Sequence, residues 1–323
     1  MVSGQKYEKT EALLSGLSPV EKFIFAVVIL FILGLAFQFL GALLGAWIYG
    51  FSVKDILTLE AFDDSDYVAA SKLIQIIGSL GTFIIPAFLF SYLFTGDFLS
   101  YYRFRDPVGA SALFVTVLMM VAVIPFINYL AEINMRMDFP IRVIDRILRE
   151  LEGEAEQIMQ AFTSTGSQWG LMVNLLMIGV LAAVGEELIF RGLLQRLMEE
   201  MIRNVHLAIL ITAILFSAFH FQFFSFLPRF VLGAILGYLM YLGRSIWFPI
   251  LAHFVNNTMG VVYYYFNNRG DTDDMLEDIG TSHMMPMSAL FSLLVFVVLA
   301  LLWYYLTNIR ITRSPRSWGS GKD

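Results

Sequence analysis

Cysteine does not occur in this 323-residue sequence, and charged residues make up only 15% of it. The first absence excludes a disulfide framework and thiolate metal sites. The second separates the chain from soluble proteins, whose charged share is about 25%. There is no Gly-rich phosphate loop and no basic stripe. With a net charge of -6, nothing marks a nucleic-acid partner. Internal repeats and low-complexity tracts are also missing. What is abundant is apolar surface: 58% of residues are hydrophobic and 30 are Phe. That composition belongs to the multi-pass membrane class.

A spanning helix needs about 20 apolar residues. Runs of that kind lie near residues 22–49, 71–95, 109–131, 170–195, 205–224, 228–243, 245–266 and 287–307. The expected fold is therefore all-α, a polytopic membrane bundle of about eight transmembrane helices. Residues 1–21 are polar, and the run that follows exceeds the 7–15 apolar residues typical of a cleaved signal, so it reads as a first membrane helix. Lys and Arg gather in the tails and in alternate loops, including Lys6, Lys9, Arg103, Arg105, Arg196, Arg203, Arg244, Arg310 and Arg313. The stretches "LEAFDDSD" at 59–66 and "DTDDMLED" at 271–278 are acidic. Both termini are then expected in the cytoplasm, although Arg136, Arg142, Arg146 and Arg149 count against it. The organisation expected is a tail over 1–21, a membrane domain over 22–307 and a basic tail over 308–323.

One segment between runs has a period of its own. Ile141, Ile144, Leu148, Leu151, Ala155, Ile158 and Phe162 recur at three-four spacing, with charges opposite. A helix lying on the membrane surface is expected, with a lid as the functional alternative.

Ionisable groups at membrane depth are costly, roughly 2.5–3.5 kcal/mol each on insertion scales. In "LAAVGEELIFRGLLQ", residues 181–195, Glu187 and Arg191 are one turn apart and can pair. Glu186 points about 100° away with no partner in its own helix, which suits it to general acid or base work. His220 lies in "FSAFHFQ", and His253 and Asn257 share a face in "ILAHFVNNT". A lone membrane His is more often a hydrogen-bonding residue between helices, and His206 and His283 read as ordinary interfacial residues. Several polar costs gathered in the fourth, fifth and seventh runs are hard to retain for packing alone. A catalytic or transport site is the better account. Two GxxxG patterns, Gly41–Gly45 and Gly233–Gly237, read as close helix contacts.

These residues resemble the motifs of the CPBP intramembrane proteases, which include the CAAX prenyl endopeptidases and bacteriocin-processing proteins. The pattern Glu-Glu-x-x-x-Arg, Phe-x-x-x-His, His-x-x-x-Asn is met by Glu186-Glu187 to Arg191, Phe216 to His220, and His253 to Asn257. It covers about residues 170–266, the motif core of the membrane domain. The resemblance implies that Glu186 and His220 activate a water, that His253 and Asn257 stabilise the oxyanion, and that Glu187 and Arg191 support them. It implies a hydrolase of metallo- or glutamate type. It also implies a peptide or membrane-protein substrate met in the lipid bilayer, placed here in a bacterial inner membrane. If zinc is bound, Glu186, His220 and His253 are the candidate ligands. The missing His-Glu-x-x-His spacing and the weak ligand Asn tilt the expectation to a metal-free reaction. Two other readings stay open, a proton-coupled transporter and a non-catalytic scaffold of the same family. The transporter lacks the related halves common in that class. His220 and His253 also fall at opposite ends of their runs, which requires a tilted or broken helix.

Overall fold

Ser18 and Glu21 close a reciprocal cap at the start of the first helix. The Glu21 N–H donates to Ser18 Oγ at 3.3 Å, and the Ser18 N–H donates to Glu21 Oε2 at 2.8 Å. The computed structural model describes residues 12–58, 64–164, 167–267 and 286–313, and no strand occurs among them. Its helices are α1 (Pro19–Tyr49), α2 (Ser65–Phe94), α3 (Ala110–Met135), α4 (Arg142–Thr163), α5 (Gln168–Ile202), α6 (Val205–Ala218), α7 (Phe223–Gly243), α8 (Trp247–Asn267) and α9 (Pro286–Arg313). Short helical turns, Val53–Thr58 and Phe98–Tyr101, precede α2 and α3. The acidic loop 271–278, His283 and most of both tails lie outside the described residues.

Six helices, α1, α2, α3, α5, α7 and α9, are long and apolar enough to cross a membrane. The all-α membrane bundle is therefore as expected, and the expected count of about eight is approximate: six helices meet the length and hydropathy of a span, with two further helices, α6 and α8, beside them. Helix α6 has 14 residues, about 21 Å at ~1.5 Å per residue, against a hydrocarbon core of about 30 Å. Helix α8 has 21 residues but contains His253, Asn256 and Asn257. These two pack among the six.

Exposed surface agrees with a lipid surround. Helices α1 and α9 expose Phe31, Leu35, Phe39, Trp47, Leu290, Phe291, Leu294 and Leu301. Apolar faces of that size in water would drive aggregation. Inside, one core joins Phe90, Tyr102, Leu193 and Phe216, and a second joins Met119, Leu236, Phe248 and Trp303.

Three helices depart from α geometry in their interiors, and α7 opens with a 3₁₀ turn over Phe223–Ser225. Helix α3 breaks at Val123, just before Pro125, whose ring and missing N–H forbid a continuous ladder. Helix α2 widens to a π turn over Leu80–Ile84. Helix α5 widens twice, over Leu175–Leu181 and Leu188–Gln195, leaving a short α segment Ala182–Glu187 between.

Both GxxxG patterns are close contacts. A Cβ on Gly41 would stand 3.0 Å from the Ile74 Cα, and one on Gly233 would stand 3.2 Å from the Ala213 Cα. They bring α1 onto α2 and α7 onto α6.

Helix α4 is amphipathic as expected, but its apolar residues are divided. Phe162 is buried and Leu148 and Ala155 are half-buried, whereas Ile141, Ile144 and Leu151 are exposed along with Val143 and Ile147. Its charged edge is tied locally: Arg149 binds Asp145 at 2.9 Å and Asp138 at 2.8 Å. The Arg149 side chain, and then the Phe139 N–H, hold the Asp145 carboxyl below its ordinary range.

The glycine contacts can be tested by contrast. Gly41→Val should destabilise the protein by about 1–3 kcal/mol, because backbone rather than a flexible side chain opposes it. Gly260 has nothing within 4 Å of an added Cβ, so Gly260→Ala should be neutral or stabilise by up to about 1 kcal/mol. Thermal unfolding in detergent reads both, and equal behaviour of the two would contradict the α1–α2 packing.

Candidate active site

The α segment Ala182–Glu187 of α5 presents its two carboxylates to different surroundings. Glu187 is wholly buried and Arg191 is 1% exposed. Arg191 Nη1 donates to Glu187 Oε1 at 2.7 Å, and Nη2 donates to the Gly233 carbonyl at 3.0 Å. One turn on, Gln195 Nε2 donates to the Gly237 carbonyl at 3.3 Å. The small residues of the second GxxxG pattern thus also leave their carbonyls open to side chains of α5. Glu187 Oε2 and Arg191 Nε make no hydrogen bond.

Helix α8 contributes His253, whose Nδ1 lies 2.7 Å from Glu187 Oε1. Glu187 therefore holds Arg191 within its own helix and His253 across the bundle. With Nδ1 carrying the proton toward the carboxylate, His253 turns Nε2 to Glu186 Oε2 at 3.9 Å.

Helix α6 ends at Ala218, so His220 is not on a helix but in the turn that follows. This is the break that brings together residues at opposite ends of their runs. Its Nδ1 lies 2.8 Å from the Phe216 carbonyl. A carbonyl only accepts, so Nδ1 carries the proton and Nε2 faces Glu186 Oε2 at 4.0 Å. The Phe-x-x-x-His spacing thereby gains a physical meaning. The Phe216 ring lies under the Arg191 guanidinium at 4.4 Å and meets His220 and His253 edgewise at 5.1 and 5.7 Å.

Glu186 is 13% exposed at its side chain, and its buried Oε2 accepts no hydrogen bond. It is flanked by two imidazole nitrogens, neither within direct bonding distance. Asn257, one turn from His253, is half-buried and donates Nδ2 to the Ile178 carbonyl at 2.9 Å. That bond ties α8 to the first π turn of α5, and one Nδ2 proton stays free of it.

The candidate zinc ligands Glu186, His220 and His253 are brought together, more widely spaced than in a closed zinc site. Tetrahedral zinc with bonds of about 2.0–2.2 Å would hold its ligand atoms roughly 3.3–3.6 Å apart, shorter than the 3.9 and 4.0 Å found around Glu186. Among the described residues, no group of three or more His, Asp or Glu is arranged to hold an ion.

Two residues of this region carry no motif. Arg229, the one charge in the run 228–243, donates Nη2 to Gln222 Oε1 at 2.5 Å and feels the charges of Glu152 and Glu186. Being the lone charge in an apolar run was a usable signal. Glu152 reaches the same region from α4, and nothing in its amphipathic surroundings distinguishes it from other acids of that helix.

Fold and site together define a multi-pass helical membrane protein with a buried Glu/His/Arg centre shared by four helices and a turn. Residues 168–259, which include every residue of that centre from Glu186 to Asn257, match the model of the family described as Rce1-like, type II CAAX prenyl endopeptidase. This segment, less than a third of the chain, is similar to that family. No curated protein and no solved structure matches the chain.

Removing one partner of a buried ion pair leaves the other charge uncompensated, at a cost of about 3–5 kcal/mol. Arg191→Ala should therefore lower stability by that order, with Glu187→Gln acting in the same direction by less. An Arg191→Ala protein that unfolds like wild type would show that the pair does not hold the helices.

Proposed function

We propose that the chain is an intramembrane endopeptidase, hydrolysing a peptide bond of a peptide or membrane-associated protein with a water activated by Glu186 and His220. The observation that carries this reading is the unbonded Glu186 Oε2 between two Nε2 atoms at 3.9 and 4.0 Å. Those separations are too long for a direct hydrogen bond. With legs of about 2.8 Å, one water bridges such a pair at an angle near 90°.

The steps follow from proton positions. Glu186 takes a proton from the water as its oxygen bonds to the scissile carbonyl carbon. That proton then passes to the amide nitrogen as the C–N bond breaks, releasing an amine. His220, fixed through Phe216, accepts from the water with Nε2 and orients it. The carbonyl oxygen gains negative charge at the tetrahedral stage. Asn257 offers its remaining Nδ2–H, which suits an oxyanion, and His253, held by Glu187 through Nδ1, faces the same space with Nε2. No step passes through a metal.

The family supports a peptide or protein substrate and embedding in the membrane. We further infer a bacterial inner membrane with both termini in the cytoplasm, from the Lys and Arg bias of the tails and loops.

Glu186→Gln keeps shape but cannot take the proton, so hydrolysis should fall by about 10²–10⁴-fold with unchanged melting. His220→Ala should resemble it, and the double variant should lose little more than either single one. Asn257→Ala should lose about 10²–10³-fold. Near-normal turnover by Glu186→Gln would end the assignment. Chelation gives a separate check: hydrolysis should survive in metal-free protein, and a loss restored by stoichiometric zinc would overturn the metal-free reaction.

A further inference from the structure

We propose that Glu152, on α4 and outside the six spanning segments, is a positioning residue for His220, holding in place the turn that carries that histidine. The proposal rests on the protease reading above and adds to it a residue in none of the three motifs.

The turn after α6 is tied to its own helix only as far as Phe221. The amides of Phe219, His220 and Phe221 donate to the Leu215, Ser217 and Ala218 carbonyls at 3.0, 3.3 and 3.1 Å, and Phe221 adopts φ 54° before the chain leaves the helix. Bulky residues occupy that left-handed region only where surrounding contacts over-determine it. The contacts beyond Gln222 come largely from Glu152. Its Oε2 accepts the Phe224 N–H at 3.0 Å. Its Oε1 accepts the Ser225 hydroxyl and, at 3.5 Å, the Gln222 side-chain amide. One carboxylate thus gathers three donors within four residues.

Neighbouring groups complete a clamp. The Arg149 guanidinium lies 4.2 Å over the Phe224 ring, and Phe139 meets Phe223 edgewise at 5.5 Å. Asn134, near the end of α3, donates to the Phe223 carbonyl at 3.0 Å and accepts the Leu227 N–H at 2.5 Å. Gln222 also accepts from Arg229 Nη2, so a chain Arg229–Gln222–Glu152 runs from α7 through the turn to α4. Gln222 is two residues from His220.

The hydrogen bonds of Glu152 all go to residues 222–225, and none reaches Glu186 or His220 directly. Its effect on the reaction therefore passes through the turn. Catalytic groups tolerate little displacement, about 10²-fold in rate for a shift near 1 Å. A loosened turn would let His220 Nε2 drift from Glu186 while Glu187, Arg191 and His253 keep their mutual bonds.

The test uses the full-length protein in detergent, with Glu152→Ala, Glu152→Gln and His220→Ala, alone and combined. Hydrogen–deuterium exchange of the amides of 219–225 should quicken at least about tenfold in Glu152→Ala while α5 is unchanged, because a held turn opens only with its clamp. On a quenched-fluorescence peptide pool, kcat should fall about 10–100-fold with KM nearly constant. Glu152→Gln, which still accepts the Phe224 N–H, should recover part of both effects, and it replaces Glu152→Ala should that variant fail to fold. In the His220→Ala background the further loss should be under about twofold, since both changes then act on one group. Unchanged exchange at 219–225, or losses that multiply in full, would overturn the proposal. Retained turnover in Glu186→Gln, or no hydrolysis by wild type, would instead remove the protease reading, and the exchange data would still decide whether Glu152 holds the turn.

Discussion

A carboxylate with no access to water must be compensated where it lies, and Glu187 sets that condition for this bundle. It takes Arg191 from its own helix and His253 from α8 on a single oxygen. Arg191 extends the tie to α7 through the Gly233 carbonyl. Three helices are thereby fixed by one buried charge. The same contact settles which nitrogen of His253 faces Glu186. The adjacent glutamates differ in placement: Glu187 takes two donors on Oε1, whereas Glu186 Oε2 lies unbonded between two imidazoles.

Phe216 plays the matching part on the other side. Its carbonyl fixes the proton on His220, and its ring lies against Arg191 and both histidines. A planar apolar side chain keeps bulk solvent from the cation and strengthens the electrostatic contacts around it. The three motifs are thus one packed unit seen from three places in the chain.

Local spacing made much of this legible. Glu187 with Arg191, and His253 with Asn257, are four residues apart, and helical geometry alone puts each pair on one face. The apolar runs located the helices, with ends displaced by up to seven residues. Helix α6 was the one carried well past its end. The apolar run continues through Phe219, Phe221 and Phe223, so hydropathy carried the expected helix past Ala218, where the chain in fact turns. The role of Gly233 and Gly237 as acceptors was also hidden, because it depends on which helix lies opposite. For α4, the three-four pattern gave the helix but not its orientation. That was decided by Glu152, an acid indistinguishable in sequence from Glu150, Glu154 and Glu156.

The π turns of α5 alter how the motif helix must be counted. Each widened turn holds one more residue than an α turn, so the angular phase of everything beyond it slips by about one residue, near 100°. Glu186 and Glu187 lie after one such slip and before another. A helical wheel drawn at constant pitch from Gln168 consequently assigns both to the wrong side. Length, as well as composition, is under constraint here. Forcing all the residues of 175–181 into regular pitch would turn the Glu-Glu pair about 100° away from the histidines, with every motif residue still present.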